Sequence, residues 1–135
     1  MAPRELLVEF YAGFNAYVTG GDPDAVRSLL ADEVGLTATG SDPDQPERTA
    51  TGVDAVLDGI GGSIRDETDH LQAVPDEFTA IDETVAVSGA YVGTVGDEHV
   101  DIPFVHVYEL EGETIQHCWA YIDTTLDGVR ERITP

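Results

Sequence analysis

DEHVDIPFVHVYELEGETIQHCWAYID, residues Asp97 to Asp123, is the stretch on which the architecture of this chain turns. Two β-type runs, His99 to Leu110 and Thr114 to Asp123, flank Glu111-Gly112-Glu113, where Gly112 supplies the turn. With Glu111 set opposite Ile115, His106 faces Ala120, Tyr108 faces Cys118 and Phe104 faces Ile122. Side chains alternate between the two faces of a strand. One face therefore carries Ile102, Phe104, His106, Tyr108, Cys118, Ala120 and Ile122, and the other Pro103, Val105, Val107, His117, Trp119 and Tyr121. Both faces are largely apolar, so each needs a cover.

Outward from this hairpin, Thr84 to Val95 and His70 to Thr79 read as two more strands, with Pro75 marking an edge or a bulge. Nearer the N-terminus, Leu6, Leu7, Phe10, Phe14, Tyr17 and Val18 recur at helical spacing after Pro3. Gly20-Gly21 closes that helix, and Asp22-Pro23 opens a second one with Val26, Leu29 and Leu30 as its buried stripe. A short strand is expected over Val34 to Thr39, then an exposed loop from Gly40 to Ala50. A third helix after Thr51 uses Val53, Val56, Leu57, Ile60 and Ile64. Gly59, Gly61 and Gly62 weaken it, at roughly 1 kcal/mol each.

Helices followed by consecutive strands define an α+β domain over residues 1–135: one curved, mainly antiparallel sheet wrapped around N-terminal helices. Such a cone encloses an apolar pocket, which suits a small apolar molecule as partner. The helices take the His106 face. The opposite face, centred on Val105, Val107, Trp119 and Tyr121, is left for a second copy of the chain, a homodimer.

Composition narrows the function. The chain has 135 residues, 27 acidic and six basic, for a formal net charge of −21, and every basic residue is arginine. A nucleic-acid partner is disfavoured, because phosphate binding needs a basic footprint. No run approaches the about 18 apolar residues of a membrane span. Glu5 and Glu9 lie where a signal peptide would need an apolar core, so the expectation is a cytoplasmic protein. Cys118 stands alone, which excludes a disulfide within the chain. The acidity resembles that of cytosolic proteins from organisms that hold molar salt, where the Debye length is only about 3 Å.

Several strings, taken in order, resemble the SnoaL-like, ketosteroid-isomerase-related proteins of the nuclear transport factor two-like superfamily. They are LLADEV after a GDPD helix start, VAVSGAYVGT, PFVHVYELEGETI and the closing WAYID. The resemblance spans Glu5 to Asp123 and implies the cone fold. It implies steroid-isomerase machinery only where the residues match, and they do not. The helix tyrosine of those enzymes falls on Phe14, the aspartate base on Ala38 and the protonated aspartate on His106. Epoxide-hydrolase machinery is missing too, since no charged residue lies between Glu83 and Asp97 and the last-strand aspartate falls on Ala120. Of the histidine–aspartate pair used by SnoaL cyclases, His106 matches and Ala120 does not.

His106 is thus the candidate catalytic residue, because imidazole titrates near neutrality. Phe14, Ala38, Phe104, Tyr108, Cys118, Ala120 and Ile122 are the expected pocket lining. Each has a plainer reading: His106 as a buried, bonded histidine, Tyr108 as core with its hydroxyl at the rim, Cys118 as a small core side chain. Asn15 reads as a helix-surface amide, and Asp123 as a bond closing the last strand. A metal site from His99, Asp101, His106 and His117 fails on strand parity, and no glycine-rich phosphate loop is present, so neither metal nor cofactor is expected. The function left open is isomerase, cyclase or lyase chemistry on His106, or else a ligand-binding or assembly module without chemistry.

The charge makes one expectation independent of fold. Thermal melts between about 0.1 M and 3 M salt should show a midpoint that climbs with ionic strength, as screening quiets the repulsion among carboxylates. A flat midpoint across the series would refute it.

Overall fold

A computed structural model of the protein describes residues 3–18, 21–39, 48–57, 72–95 and 97–122. The first helix, α1 (Pro3–Val18), buries Leu6, Leu7, Phe10, Tyr11, Phe14 and Tyr17 along one side. Tyr11 is an addition to the stripe expected from spacing. A single turn, α2 (Asp24–Arg27), follows with Val26 buried; the Asp22 carboxylate accepts the Asp24 N–H, and Pro23, not Asp22, occupies the cap position. Then come β1 (Leu30–Thr39), β2 (Arg48–Thr51), α3 (Val53–Leu57), β3 (Gln72–Ile81), β4 (Thr84–Val95), β5 (Glu98–Glu111) and β6 (Thr114–Ile122).

Six strands form one sheet in the order β2-β1-β6-β5-β4-β3, antiparallel except where β1 runs parallel to β6. The α+β architecture expected from the order of helices and strands is the one observed. Differences lie at the edges. β1 begins at Leu30, four residues before Val34, and an irregularity between Leu30 and Gly35 takes up the extra length. The stretch read as loop up to Ala50 contains β2, whose backbone pairs with Gly35 to Ala38. Four residues with little apolar content give no period to detect; the neighbouring strand supplies the bonds. Of the third helix, Val53–Leu57 is helical with Val56 and Leu57 buried. Its continuation through Ile60 and Ile64, like the readings of Gly20 and Asp123, lies outside the described residues.

The hairpin of β5 and β6 keeps the expected facing pairs: His106 with Ala120, Tyr108 with Cys118, Phe104 with Ile122. Its turn differs by one residue. Glu111 pairs with Thr114, not Ile115, because Gly112 at φ 61° closes a two-residue loop. A bulge between Glu109 and Leu110 leaves Gln116 without an opposite residue and restores the register before the functional face begins.

Pro75 fulfils both of its readings. β3 is an edge strand, and its register with β4 shifts between Pro75 and Glu77. Opposite Pro75 lies Gly89, where a Cβ would collide with the Val74 carbonyl and press on the Phe104 ring. The missing side chain lets the Phe104 ring lie against the β4 backbone.

α1 is fastened across the open side of the sheet by Asn15. Its side-chain amide donates to the Ala73 carbonyl at 2.9 Å and its carbonyl accepts the Ala73 N–H at 2.8 Å. A residue that reads as a surface amide is therefore the clamp between helix and edge strand. Sequence periodicity could not show this, because the unpaired edge of β3 exists only once the sheet has formed.

Candidate functional site

Four side chains from three elements meet inside the cone. α1 brings Tyr11, β4 brings Tyr91, and β5 brings His106 and Tyr108, two residues apart on one face of the strand. All four are buried. His106 lies flat on Phe104, the next residue on the same face of β5, with ring centroids 3.9 Å apart and planes within 9°. That stack fixes the plane of the imidazole and aims its two nitrogens at opposite walls.

On one side Nδ1 lies 2.8 Å from the Tyr11 hydroxyl and 3.2 Å from that of Tyr108, and Tyr108 donates to Tyr11 at 2.8 Å. On the other, Nε2 lies 2.8 Å from the Tyr91 hydroxyl. An imidazole without partners would be costly here, so its phenols account for its burial. Tyr108 is only 1% exposed, which corrects the picture of a core tyrosine with its hydroxyl at the rim.

Burial dictates the charge state. It lowers the His106 pKa from 6.5 to about 3, because the charged ring would lose its water without gaining an anion. The sequence argument that this imidazole titrates near neutrality is thereby corrected: it stays neutral at pH 7. Burial also pushes Tyr91, Tyr11 and Tyr108 upward and takes the Cys118 thiol up to about 12. Every group in the cluster is uncharged at neutral pH, and Cys118 is a poor nucleophile.

A cavity of about 20 Å3 borders the cluster, with His106, Ala120, Cys118 and Tyr108 on the sheet side. Phe10, Tyr11 and Phe14 close it from the helix, and Tyr91 from β4. Its volume suits about one water molecule. Five expected lining residues or site groups therefore border it: His106, Phe14, Tyr108, Cys118 and Ala120. Phe104 lies beneath the imidazole, and Ala38, opposite Ala120 in β1, packs against the core; neither borders the cavity. Ile122 is paired with Phe104 in register, and its side chain lies outside the described residues.

Tyr11 and Tyr91 are the site residues that the sequence reading passed over. Tyr11 sits one turn before Phe14 on the same buried stripe, and Tyr91 shares the parity of Val85 and Val87, both fully buried. Parity was a usable signal for Tyr91, but pairing it with His106 requires the β4–β5 register.

The remaining histidines are elsewhere. His117 occupies the outer face, where it bonds the Thr37 hydroxyl through Nε2 at 3.1 Å and meets the Trp119 ring at a tilt of 35°; Gly35 makes room for its ring. His99 is exposed. No group of three or more metal-ligating side chains occurs among the described residues.

The depressed His106 pKa sets a pH dependence. Below 6.5 the unfolded chain takes up a proton that the folded chain refuses. The stability tied to neutral His106 is complete above 6.5 and declines as the pH falls toward 3, by up to about 1.4 kcal/mol per pH unit. Denaturant unfolding between about pH 7 and about pH 5 should fall more steeply for the wild type than for His106→Phe. Parallel slopes would mean that the folded imidazole carries charge.

Comparison with known proteins places this geometry. Residues 7–118 match the SnoaL-like domain. Among solved structures, a loop-truncation variant of IdmH superposes with TM-score 0.75 at 18% identity, covering 95% of this chain and 99% of that one. An NTF2-like protein from Burkholderia thailandensis gives 0.74 at 20% identity, covering 100% and 99%. TerC co-crystallised with polyporic acid gives 0.73 at 16% identity, covering 98% of each chain. At these identities the superpositions speak for the fold alone. No curated protein matches. No helix among the described residues is long and apolar enough to cross a membrane. With the family match spanning most of its length, the chain belongs to the SnoaL-like domain family, and it shares its fold with an NTF2-like structural neighbour.

Proposed function

We propose that this protein is an enzyme of the isomerase, cyclase or lyase kind, acting on a small apolar molecule held in the cone, with His106 passing protons without becoming charged. The observation that carries the reading is a neutral imidazole held at both nitrogens by phenols, beside the cavity that the small Ala120 side chain leaves open. A base whose pKa is about 3 abstracts protons poorly at pH 7. The workable step is a relay along Tyr108–Tyr11–His106–Tyr91. One proton leaves Tyr91 for the substrate, each group behind it shifts its proton by one place, and Tyr108 is refilled by a proton from the substrate. Nδ1 gains as Nε2 loses, so imidazolium never forms. The raised phenol pKa values require the shifts to be concerted, because an isolated phenolate would be costly here. TerC, a neighbour of the same fold, was co-crystallised with polyporic acid, which supports a ligand-binding role for this fold.

The competing reading is a ligand-binding or assembly module without chemistry. In its favour, the cavity is small, and no buried side-chain polar atom lacks a partner among the described residues. Deuterium separates the two. Ligand recovered from the purified protein and returned to it in D2O should gain deuterium on carbon, and His106→Phe should lose that exchange. Binding without exchange favours the module. Absence of any ligand, together with an Ala120→Phe variant that behaves like the wild type, would end the enzyme reading.

The outer face of the sheet carries the quaternary part of this proposal: two copies pair through Val107, Trp119 and Tyr121, all half-buried in the single chain. Val105, set between Ser88 and Tyr121 in register and expected at the centre of that face, is already fully buried in the single chain and offers no surface to a second copy. The acidic excess fits such a dimer working in molar salt within a cell. Light scattering there should give twice the chain mass, and Trp119→Asp should halve it. A monomer in the wild type refutes the pairing.

A further inference from the structure

Resting on the reading that the cavity takes a ligand, a count of protons says what that ligand must offer. Three phenols and one neutral imidazole hold four exchangeable hydrogens, but the close bonds joining them, Tyr108 to Tyr11, Tyr11 to His106 and His106 to Tyr91, use three. One hydrogen is left over, and the tautomer of His106 decides where. Two hydroxyls crowd Nδ1, at 2.8 and 3.2 Å, while a single one faces Nε2. Tyr108 spends its hydrogen on Tyr11, so each ring nitrogen meets one donor. The leftover hydrogen costs least on the more exposed phenol, Tyr91 at 9% against 3% for Tyr11, which places the ring hydrogen on Nε2 and makes Tyr91 its acceptor. The Tyr91 hydroxyl hydrogen then has no acceptor among the described residues, and Tyr91 is both 9% exposed and part of the cavity wall. A buried donor without an acceptor is costly, so this one is committed to whatever enters the cavity.

Charge narrows the ligand further. None of the described residues bordering the cavity is charged, so neither an anion nor a cation finds a counter-ion among them. The net charge of −21 also works against anions approaching the site. We infer that the cavity binds uncharged, apolar ligands through one accepting oxygen, a ketone, aldehyde or ester carbonyl, which takes the hydrogen of Tyr91. A ligand larger than water must displace the Phe10 and Phe14 rings, the two apolar walls contributed by α1 alone.

The test uses four probes of one shape: cyclohexanone, cyclohexane, cyclohexanecarboxylate and cyclohexylamine. NMR titration of the wild-type protein should show cyclohexanone binding about tenfold tighter than cyclohexane, as one hydrogen bond implies, with neither charged probe binding. In Tyr91→Phe, cyclohexanone should bind no tighter than cyclohexane does to the same variant. Because that variant also strips Nε2 of its partner, nitrogen-15 shifts of wild-type His106 give a second readout, and they should report the hydrogen on Nε2. Equal binding of ketone and hydrocarbon, or a hydrogen on Nδ1, overturns this inference and leaves the ligand pocket standing. If none of the four binds, the pocket reading falls and takes the inference with it.

Discussion

A histidine on the concave face of an apolar sheet has to be supplied with hydrogen bonds from inside the protein, because water cannot reach it in bulk. That constraint governs the interior of this cone. His106 takes Tyr11 from the helix and Tyr91 from β4, and Tyr108 of its own strand donates to Tyr11, so the three elements are held in mutual register by hydrogen bonds as well as by apolar contact. The aromatic contacts reinforce the same arrangement. Phe104 stacks under the imidazole, Tyr11 lies parallel to Phe104 at 6.3 Å, and Phe10 meets Tyr108 edge-on at 5.7 Å. Removing the polar centre would leave three phenols competing for too few partners in a medium that strengthens every unmet bond.

The chain spends irregularities where they protect this centre. The bulge at Gln116 absorbs the offset created by a tight glycine turn, so that Tyr108, His106 and Phe104 face the cone in the order the hairpin requires. The shift at Pro75 and the bare backbone of Gly89 make room for the Phe104 ring. Asn15 then ties α1 to the edge of β3, which holds Tyr11 over His106. Each device lies outside the cluster and bears on the position of its members or of the Phe104 ring beneath them.

The family resemblance and the structure point to different chemistry at matching places. Where ketosteroid isomerases align a tyrosine, this chain has Phe14, yet a phenol does reach the centre, one turn earlier, from Tyr11. Where SnoaL cyclases align an aspartate, Ala120 offers only space. The carboxylates of those enzymes fall on Ala38, His106 and Ala120, and the polar groups that meet in the cone are a neutral imidazole and three phenols, with no charged group among the described residues that border the cavity. Function in this fold follows the side chains grafted onto the cone and not the cone itself.

Much of the fold was legible in the chain alone, since strand parity and helical spacing are local and record burial directly: the β5–β6 pairs, the extent of β4, the apolar stripe of α1 and the edge position of Pro75 all follow from them. His106 as the polar centre was legible for the same reason, one histidine at an inward position between Phe104 and Tyr108. Its partners and its charge were not. Tyr11 is 95 residues away and Tyr91 15, separations that no period encodes. The low pKa comes from the desolvation produced when helix and sheet close together. β2 and the Asn15 clamp escaped notice on the same ground, because the bonds that define them belong to neighbours brought close only by folding. Sequence determined which faces turn inward; tertiary structure decided what those faces meet, because hydrogen-bond partnership and solvent exclusion are properties of the assembled chain.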